Sequence, residues 1–469
     1  MNRMNRADQL LFEELVERIK EQSGAVGLAV AIVDDAGDTK YERFFGVRDE
    51  KAGLPLDGDT IFGLASVTKS FVALSIMQLY EKGIIDLDAP VSRYIPEFTN
   101  KNQETVKVWH FLCHAGGFFP LHRTVIRDVA KTIGLSADAE TELAFSEELA
   151  LAGTKAVAEQ LDAQTAEHGL IGRPGEYMSY CNDGFGLLSE IVRRYGGENS
   201  FAGYVNTHIL TPLGMKRSSC EFIRPLKDIN TATLYKKQNG VMTDGWDFYD
   251  NAFALAGAGA MKSTLSDMKR YAAMYLNYGK TAGGSRLLSM NGVRAMTRPR
   301  MEYRPESFYC YGLATKRLDD ITIVEHGGSL TGVSSNLSWS YDEGVGVIVL
   351  CNTSDVPVSV IADAAMRMYR GRMPLEDRDT YRESPWSDKK KAAVCGTYGS
   401  GEGDELELYQ KDGRMAARIG NREVPFLTVH QNLGLIRNRN KDAYVRLFPK
   451  EDGSIFAVGF GGRMLPRLR

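Results

Sequence analysis

The amino-acid sequence predicts an α+β protein in which one large mixed unit is followed by a small antiparallel β-unit. Three observations lead there. Over the first 375 or so of the 469 residues, stretches of helical periodicity are interspersed with apolar strand-like runs. Residues 378–392 are then charged, contain Pro385 and lack a periodic apolar pattern, as linkers do. Beyond them, short alternating runs recur at even spacing, which suggests a small antiparallel barrel or sandwich.

Each element follows in order. Residues 7–22 form an amphipathic helix, with Leu11, Leu15 and Ile19 four apart and Phe12 and Val16 beside them. Residues 26–33 form a strand, Asp34-Asp35-Ala36-Gly37 the turn and 39–46 the returning strand. Residues 66–82 have helical composition and stop at Gly83. The Ala-, Glu- and Leu-rich stretch 138–168 gives one or two surface helices, its acids Asp138, Glu140, Glu142, Glu147 and Glu148 forming a solvated face. A helix follows Tyr180 through 184–195, and Thr264 with Asp267 three residues on resembles a capping signature for another. Residues 321–325, 335–341 and 345–351 read as strands. The C-terminal runs are 406–409, 415–419, 424–429, 434–437, 444–448 and 455–458.

Composition narrows the function. The 57 basic and 60 acidic side chains leave a net charge of −3, so the basic excess of a nucleic-acid binder is absent. Six scattered cysteines (113, 181, 220, 310, 351 and 395) without a CxxC pair read as reduced thiols. The N-terminal region is too charged for a signal-peptide core, and residues 24–33 are far shorter than the ~20 residues of a membrane span. A cytoplasmic protein without a membrane partner is expected.

The sharpest local pattern is Ser66-Val67-Thr68-Lys69. Positions three apart share a helix face, so the Lys69 amine can approach the Ser66 hydroxyl. A serine needs a neighbouring base to become a nucleophile, and a lysine serves when burial lowers its pKa. The segment lies at a helix start, where backbone N–H groups favour a developing oxyanion. Tyr180-Cys181-Asn182 places a hydroxyl beside an amide before a helix. His326-Gly327-Gly328-Ser329 ends a strand, where glycines admit a substrate backbone. No HExxH or paired CxxC supports a metal, no cofactor is called for, and Gly257–Ser263 lacks the Gly-Lys of a phosphate loop. No G-x-S-x-G elbow is present either.

With these residues in this order, the sequence resembles the serine β-lactamases and penicillin-binding-protein-like hydrolases, especially the class C β-lactamase and esterase branch. The resemblance runs from about Gly24 to Met368. It takes in Thr60-Ile61-Phe62, the stretch Gly83-Ile84-Ile85-Asp86-Leu87-Asp88-Ala89-Pro90-Val91, Thr211-Pro212-Leu213-Gly214-Met215 and Ala256-Gly257-Ala258-Gly259. Leu112-Cys113-His114-Ala115-Gly116-Gly117 resembles the family's LxHxSG segment, with Gly116 at the usual serine; His114 there reads as a structural histidine. The family's fold would be an antiparallel sheet flanked by helices plus a helical subdomain. The resemblance implies Ser66 as acylated nucleophile and Lys69 as its proton acceptor, shared with Tyr180. It implies Asn182 against the substrate's acyl side chain, and N–H groups of Ser66 and Ser329 as the oxyanion hole. His326-Gly327-Gly328 would occupy the place of the KTG motif.

Histidine for lysine at that place removes a fixed positive charge, so carboxylate-bearing substrates should be favoured less. Family members with HxG are often esterases or peptidases of D-residue-containing substrates. The expectation is therefore a serine hydrolase of a small ester or peptide substrate, a carboxylesterase or D-stereospecific peptidase. A β-lactamase-type hydrolase comes third, and a non-catalytic binding or sensor protein is the rival. Cys395-Gly396-Thr397-Tyr398 resembles the start of a lipocalin-like barrel, which in relatives narrows the cleft or mediates oligomer contacts; a homo-oligomer is a candidate assembly. The expected division is a hydrolase domain at 1–375, a linker at 376–390 and a small lipocalin-like β-barrel at 391–469.

Overall fold

The computed structural model describes residues 4–99, 105–135, 146–221, 228–238, 240–249, 252–374, 381–403, 405–437 and 442–468. Its centre is a nine-stranded antiparallel sheet. Across the sheet the order is Leu54–Pro55, Thr39–Asp49, Gly27–Asp34, Val345–Cys351, Val333–Ser340, Ile321–Leu330, Ala314–Leu318, Ser307–Tyr309, Met301–Arg304. The first and last thirds of this unit thus meet at the middle of one sheet, with Val30 opposite Val349.

Strand periodicity explains the layers. Leu28, Val30 and Ile32 point into a core with Phe12, Leu15, Val16 and Ile19 of the helix Arg6–Ser23 and with Ile361 and Ala365 of Val358–Tyr369. Ala29, Ala31 and Val33 point to the other face, against Met268, Tyr271 and Ala272 of Leu265–Leu276. Both faces are covered, which is why residues 28–33 read as one continuous apolar run. Thr264 caps its helix as expected, its side chain accepting from the Asp267 N–H. Phe71 stacks on Tyr271 with ring centroids 4.0 Å apart, a contact worth about 1 kcal/mol beyond its area. Every residue of Thr68–Glu81 up to Leu79 is buried, so this helix is the spine between the sheet and the helical layer.

That helical layer holds Glu147–His168, capped by Ser146, and Asn182–Tyr195. The first part of the expected 138–168 helical stretch, with Asp138, Glu140 and Glu142, lies outside the described residues. The stretch read as a linker ends in the helix Asp388–Val394, whose Val394 is buried with Trp386 in the C-terminal core.

The closed C-terminal barrel is corrected. Its strands form two sheets, Gly396–Tyr398 to Arg422–Val424 and Phe426–His430 to Arg463–Pro466. The expected strand 424–429 is broken at Pro425, which has no N–H to donate to a ladder. The opposite seam carries only short-range pairing, with Gly399 N–H donating to Pro466 O and Leu468 N–H to Thr397 O. A lipocalin-like barrel is therefore not formed. The hairpin ending in Arg463–Pro466 lies on the preceding unit instead: Met464 and Ala457 pack with Ile171, and Tyr180 N–H donates to Gly462 O at 3.0 Å.

Candidate active site

Ser66 sits in a single tight turn, Ala65–Val67, between a two-residue strand and the helix Thr68–Glu81. The residue before it, Ala65, has φ +46°, a left-handed conformation that costs an alanine about 1 kcal/mol or more and is held by its surroundings. One of those constraints is Gly328. A Cβ there would lie 2.1 Å from Leu64 O, so only glycine lets the strand Ile321–Leu330 come this close to the nucleophile turn. Ser335 Oγ also donates to Leu64 O, at 2.7 Å.

Lys69 is fully buried one helical turn from Ser66. Its Nζ has three contacts: Ala258 O at 2.7 Å, Asn182 Oδ1 at 2.9 Å and Ser66 Oγ at 3.1 Å. No formal charge is among them. Burial pushes the amine well below its usual range, and the nearby Arg463 adds to this while Glu402 opposes it. A neutral amine has two N–H bonds and one lone pair. The carbonyl of Ala258 and the amide oxygen of Asn182 take the two hydrogens, which leaves the lone pair for the Ser66 hydroxyl. The run Ala256-Gly257-Ala258 serves that purpose, since a Cβ on Gly257 would lie 2.3 Å from Phe185 O and hold the carbonyl away.

Tyr180 is hydrogen-bonded to Ser66, and burial raises its phenol pKa above the usual range. Lys69 Nζ and the Arg463 guanidinium each lie 4.9 Å from its ring centroid. His114 holds this tyrosine in place. It has φ +56°, its ring centroid is 3.9 Å from that of Tyr180, and its Nδ1 accepts the Cys181 N–H at 3.0 Å. Its structural reading stands, with Tyr180 as what it structures.

His326 is buried and neutral. Burial lowers its pKa to about 4, and Lys69 contributes. Its Nδ1–H donates to Gly327 O at 2.7 Å, so Nε2 accepts from the Tyr309 hydroxyl at 2.8 Å. The place where the resemblance puts a lysine thus carries no charge.

Ser66, Tyr180, His326, Gly327, Gly328 and Ser329 line one cavity of about 910 Å³. Lys69 and Asn182 stand behind it. Asn182 is committed at both ends of its amide: Oδ1 accepts from Lys69 and Nδ2 donates to Glu402 at 3.0 Å. Sequence reasoning missed Glu402, Arg463 and Tyr309. Glu402 is held by Arg463 through two bonds of 2.8 Å; Glu402 comes from a turn of the C-terminal sheets and Arg463 from the start of the strand Arg463–Pro466. Their only sequence signal is glycine, in Ser400-Gly401-Glu402-Gly403 and Gly461-Gly462-Arg463. Among the described residues no group of three or more His, Cys, Asp or Glu could hold a metal, and no helix is long and apolar enough to cross a membrane.

Comparison with known proteins places the chain among relatives. The Beta-lactamase family model matches residues 12–368. Esterase EstB of Burkholderia gladioli is 44% identical over 93 residues, which is 19% of this chain and 24% of the esterase, so that alignment spans about a quarter of the relative. Penicillin-binding protein 4* of Bacillus subtilis (strain 168) is 25% identical over 465 residues, 96% of this chain and 90% of that one. The octameric penicillin-binding protein homologue from Pyrococcus abyssi superposes with a TM-score of 0.68 at 24% identity, over 97% of this chain and 98% of that chain. That likeness is one of fold, and it includes the C-terminal sheets.

Proposed function

Because the chain belongs to the Beta-lactamase family and is a serine hydrolase, we propose that it cleaves a small ester or amide through an acyl-enzyme on Ser66. The observation that carries this is the buried, charge-free contact shell of Lys69, 3.1 Å from Ser66 Oγ.

The neutral Lys69 amine takes the hydroxyl proton as Ser66 Oγ attacks the substrate carbonyl carbon. The oxyanion that forms is received by the N–H groups of Ser66 and Ser329 across the glycine-lined gap. The proton then passes by way of Tyr180 to the leaving oxygen or nitrogen as the carbonyl–heteroatom bond breaks. Water repeats the cycle on the ester, its proton going to Lys69 and Ser66 leaving with a proton.

Two substrate classes lead, carboxylic esters and D-residue-containing peptides. The neutral His326 favours them over penicillins, which carry a carboxylate that a fixed cation would hold. The family's esterase member supports the ester, and the HxG pattern supports both. A non-catalytic binding protein would have no need of a desolvated lysine. Similarity to an octameric relative supports a homo-oligomer, and six unpaired cysteines support a reducing, cytoplasmic setting. The same reading divides the chain into a hydrolase unit at 1–375, a linker at 376–390 and a β-unit at 391–469.

A fluorophosphonate probe should label Ser66, and Ser66→Ala should abolish labelling. Equal labelling of both proteins overturns the acyl-enzyme reading. p-Nitrophenyl esters, D- and L-aminoacyl anilides and a chromogenic cephalosporin, assayed together, should rank in favour of the first two classes; a cephalosporin preference reverses the assignment.

A further inference from the structure

The ion pair of the C-terminal sheets is placed where a hydrolase of this kind is most sensitive to charge. Glu402 Oε1 accepts from Asn182 Nδ2 at 3.0 Å and from Arg463 Nη2 at 2.8 Å, while Oε2 accepts from Arg463 Nε at 2.8 Å. The Asn182 amide would otherwise be free to turn over and present its nitrogen to Lys69, where only an oxygen can accept. Glu402 decides that orientation, because a carboxylate accepts only from the NH₂ end. Arg463 in turn lies 4.9 Å from the Tyr180 ring centroid, on the residue that contacts Ser66. Backbone bonds pin the segment there, with Gly462 O accepting from Tyr180 N–H at 3.0 Å and Ser179 Oγ accepting from Met464 N–H at 3.2 Å.

We infer that Glu402 and Arg463 are positioning residues of the hydrolytic site, holding the Asn182 amide and a fixed positive charge beside the Lys69 amine. The inference rests on the proposed role of Lys69 and makes the C-terminal sheets a working part of the site, since the hydrolase part alone supplies neither residue.

The two partners act on Lys69 with opposite sign. Burial is the main cause of its depressed pKa, Arg463 deepens the depression and Glu402 relieves it. The other groups facing Lys69 are Arg123 and His114 from the chain before the helical layer, and Cys181 and Asp183 at the start of Asn182–Tyr195. His326 faces it from the sheet. His114 and His326 are neutral across the working range because both are depressed. Asp183 is the one competitor, since burial raises it to about 7, with Glu402 adding.

The sign difference gives the test. The second-order rate of Ser66 labelling by a fluorophosphonate, followed against pH in the full-length protein, needs no known substrate. Its acidic limb reports the pH at which Lys69 loses its proton. Arg463→Gln should move that limb up and Glu402→Gln should move it down, each by roughly one pH unit, and the double variant should return close to the parent. Asp183→Asn should leave the limb in place; a limb that vanishes in that variant belongs to Asp183 and overturns the inference. A purely structural role would slow labelling in both single variants without separating their limbs, and that result also overturns it. Absence of Ser66 labelling in the parent protein instead refutes the acyl-enzyme reading, so the two failures are distinguishable.

Discussion

Two buried lysines in this fold have their pKa values moved in opposite directions, Lys69 beside Ser66 downward and Lys316 on the strand Ala314–Leu318 upward. Both are removed from water, so desolvation presses both toward the neutral amine. Lys316 Nζ meets the carboxylates of Glu325 at 2.8 Å and Asp363 at 2.7 Å, and these more than reverse the effect of burial, raising its pKa. Each opposite charge at such range is worth roughly 6 kcal/mol at an effective dielectric of 20, against a desolvation penalty of several kcal/mol per ion. Two carboxylates win that contest. Lys69 has a carbonyl, an amide oxygen and a hydroxyl in their place, none of which repays the lost hydration of an ammonium. The carboxylates keep Lys316 a cation, and their absence around Lys69 is what its proposed role as a base requires. The nearest acids make the difference.

Replacing each lysine sharpens or breaks this contrast. Lys69→Ala should lower kcat/KM by about a thousandfold or more while thermal unfolding stays near that of the parent. Near-normal turnover would refute the base role. Lys316→Met should act the other way, with unfolding free energy falling by about 3 kcal/mol because Glu325 and Asp363 lose their shared cation. Its Ser66 labelling rate below the unfolding transition should be little changed. Unchanged stability in denaturant titration would show that Lys316 is not the structural charge argued here.

Lys262 is a third, intermediate case. Burial lowers it to about 7, and its Nζ donates to the carbonyl of Cys220 at 3.4 Å. Its folded pKa lies below the unfolded one, so the unfolded chain binds more protons and stability rises as pH climbs from about 7 toward 10. Lys262→Met should raise stability at pH 7, and the gain should shrink toward pH 10. A gain that is constant with pH would mean that the amine is not titrating.

Much of the site was legible because its residues lie at fixed local spacings. Ser66 and Lys69 are one helical turn apart, Tyr180 and Asn182 flank a helix start, and His326 with Gly327 and Gly328 lies in one strand, which runs on to Leu330 rather than ending there as expected. The apolar run at 26–33 announced a strand, and the structure adds that both of its faces are covered. Five of the C-terminal strands were read with nearly their observed bounds, but Gly396–Tyr398 and Arg463–Pro466 were not read as strands. Closure was not legible because one proline at 425 and a weak seam decide between a barrel and two sheets.

By itself, then, the sequence determined which hydroxyl and which amine come together, since helix geometry alone brings positions 66 and 69 to one face. Only the tertiary structure decided the charge on that amine and the fate of Asn182. The first depends on burial, which the fold supplies. The second depends on Glu402, which lies more than 200 residues from Asn182 and accepts from it only when the C-terminal sheets pack on the rest of the chain at Ile171 and Ser179. Local spacing is set by backbone geometry, whereas electrostatic environment is set by whatever side chains the fold delivers within a few ångströms.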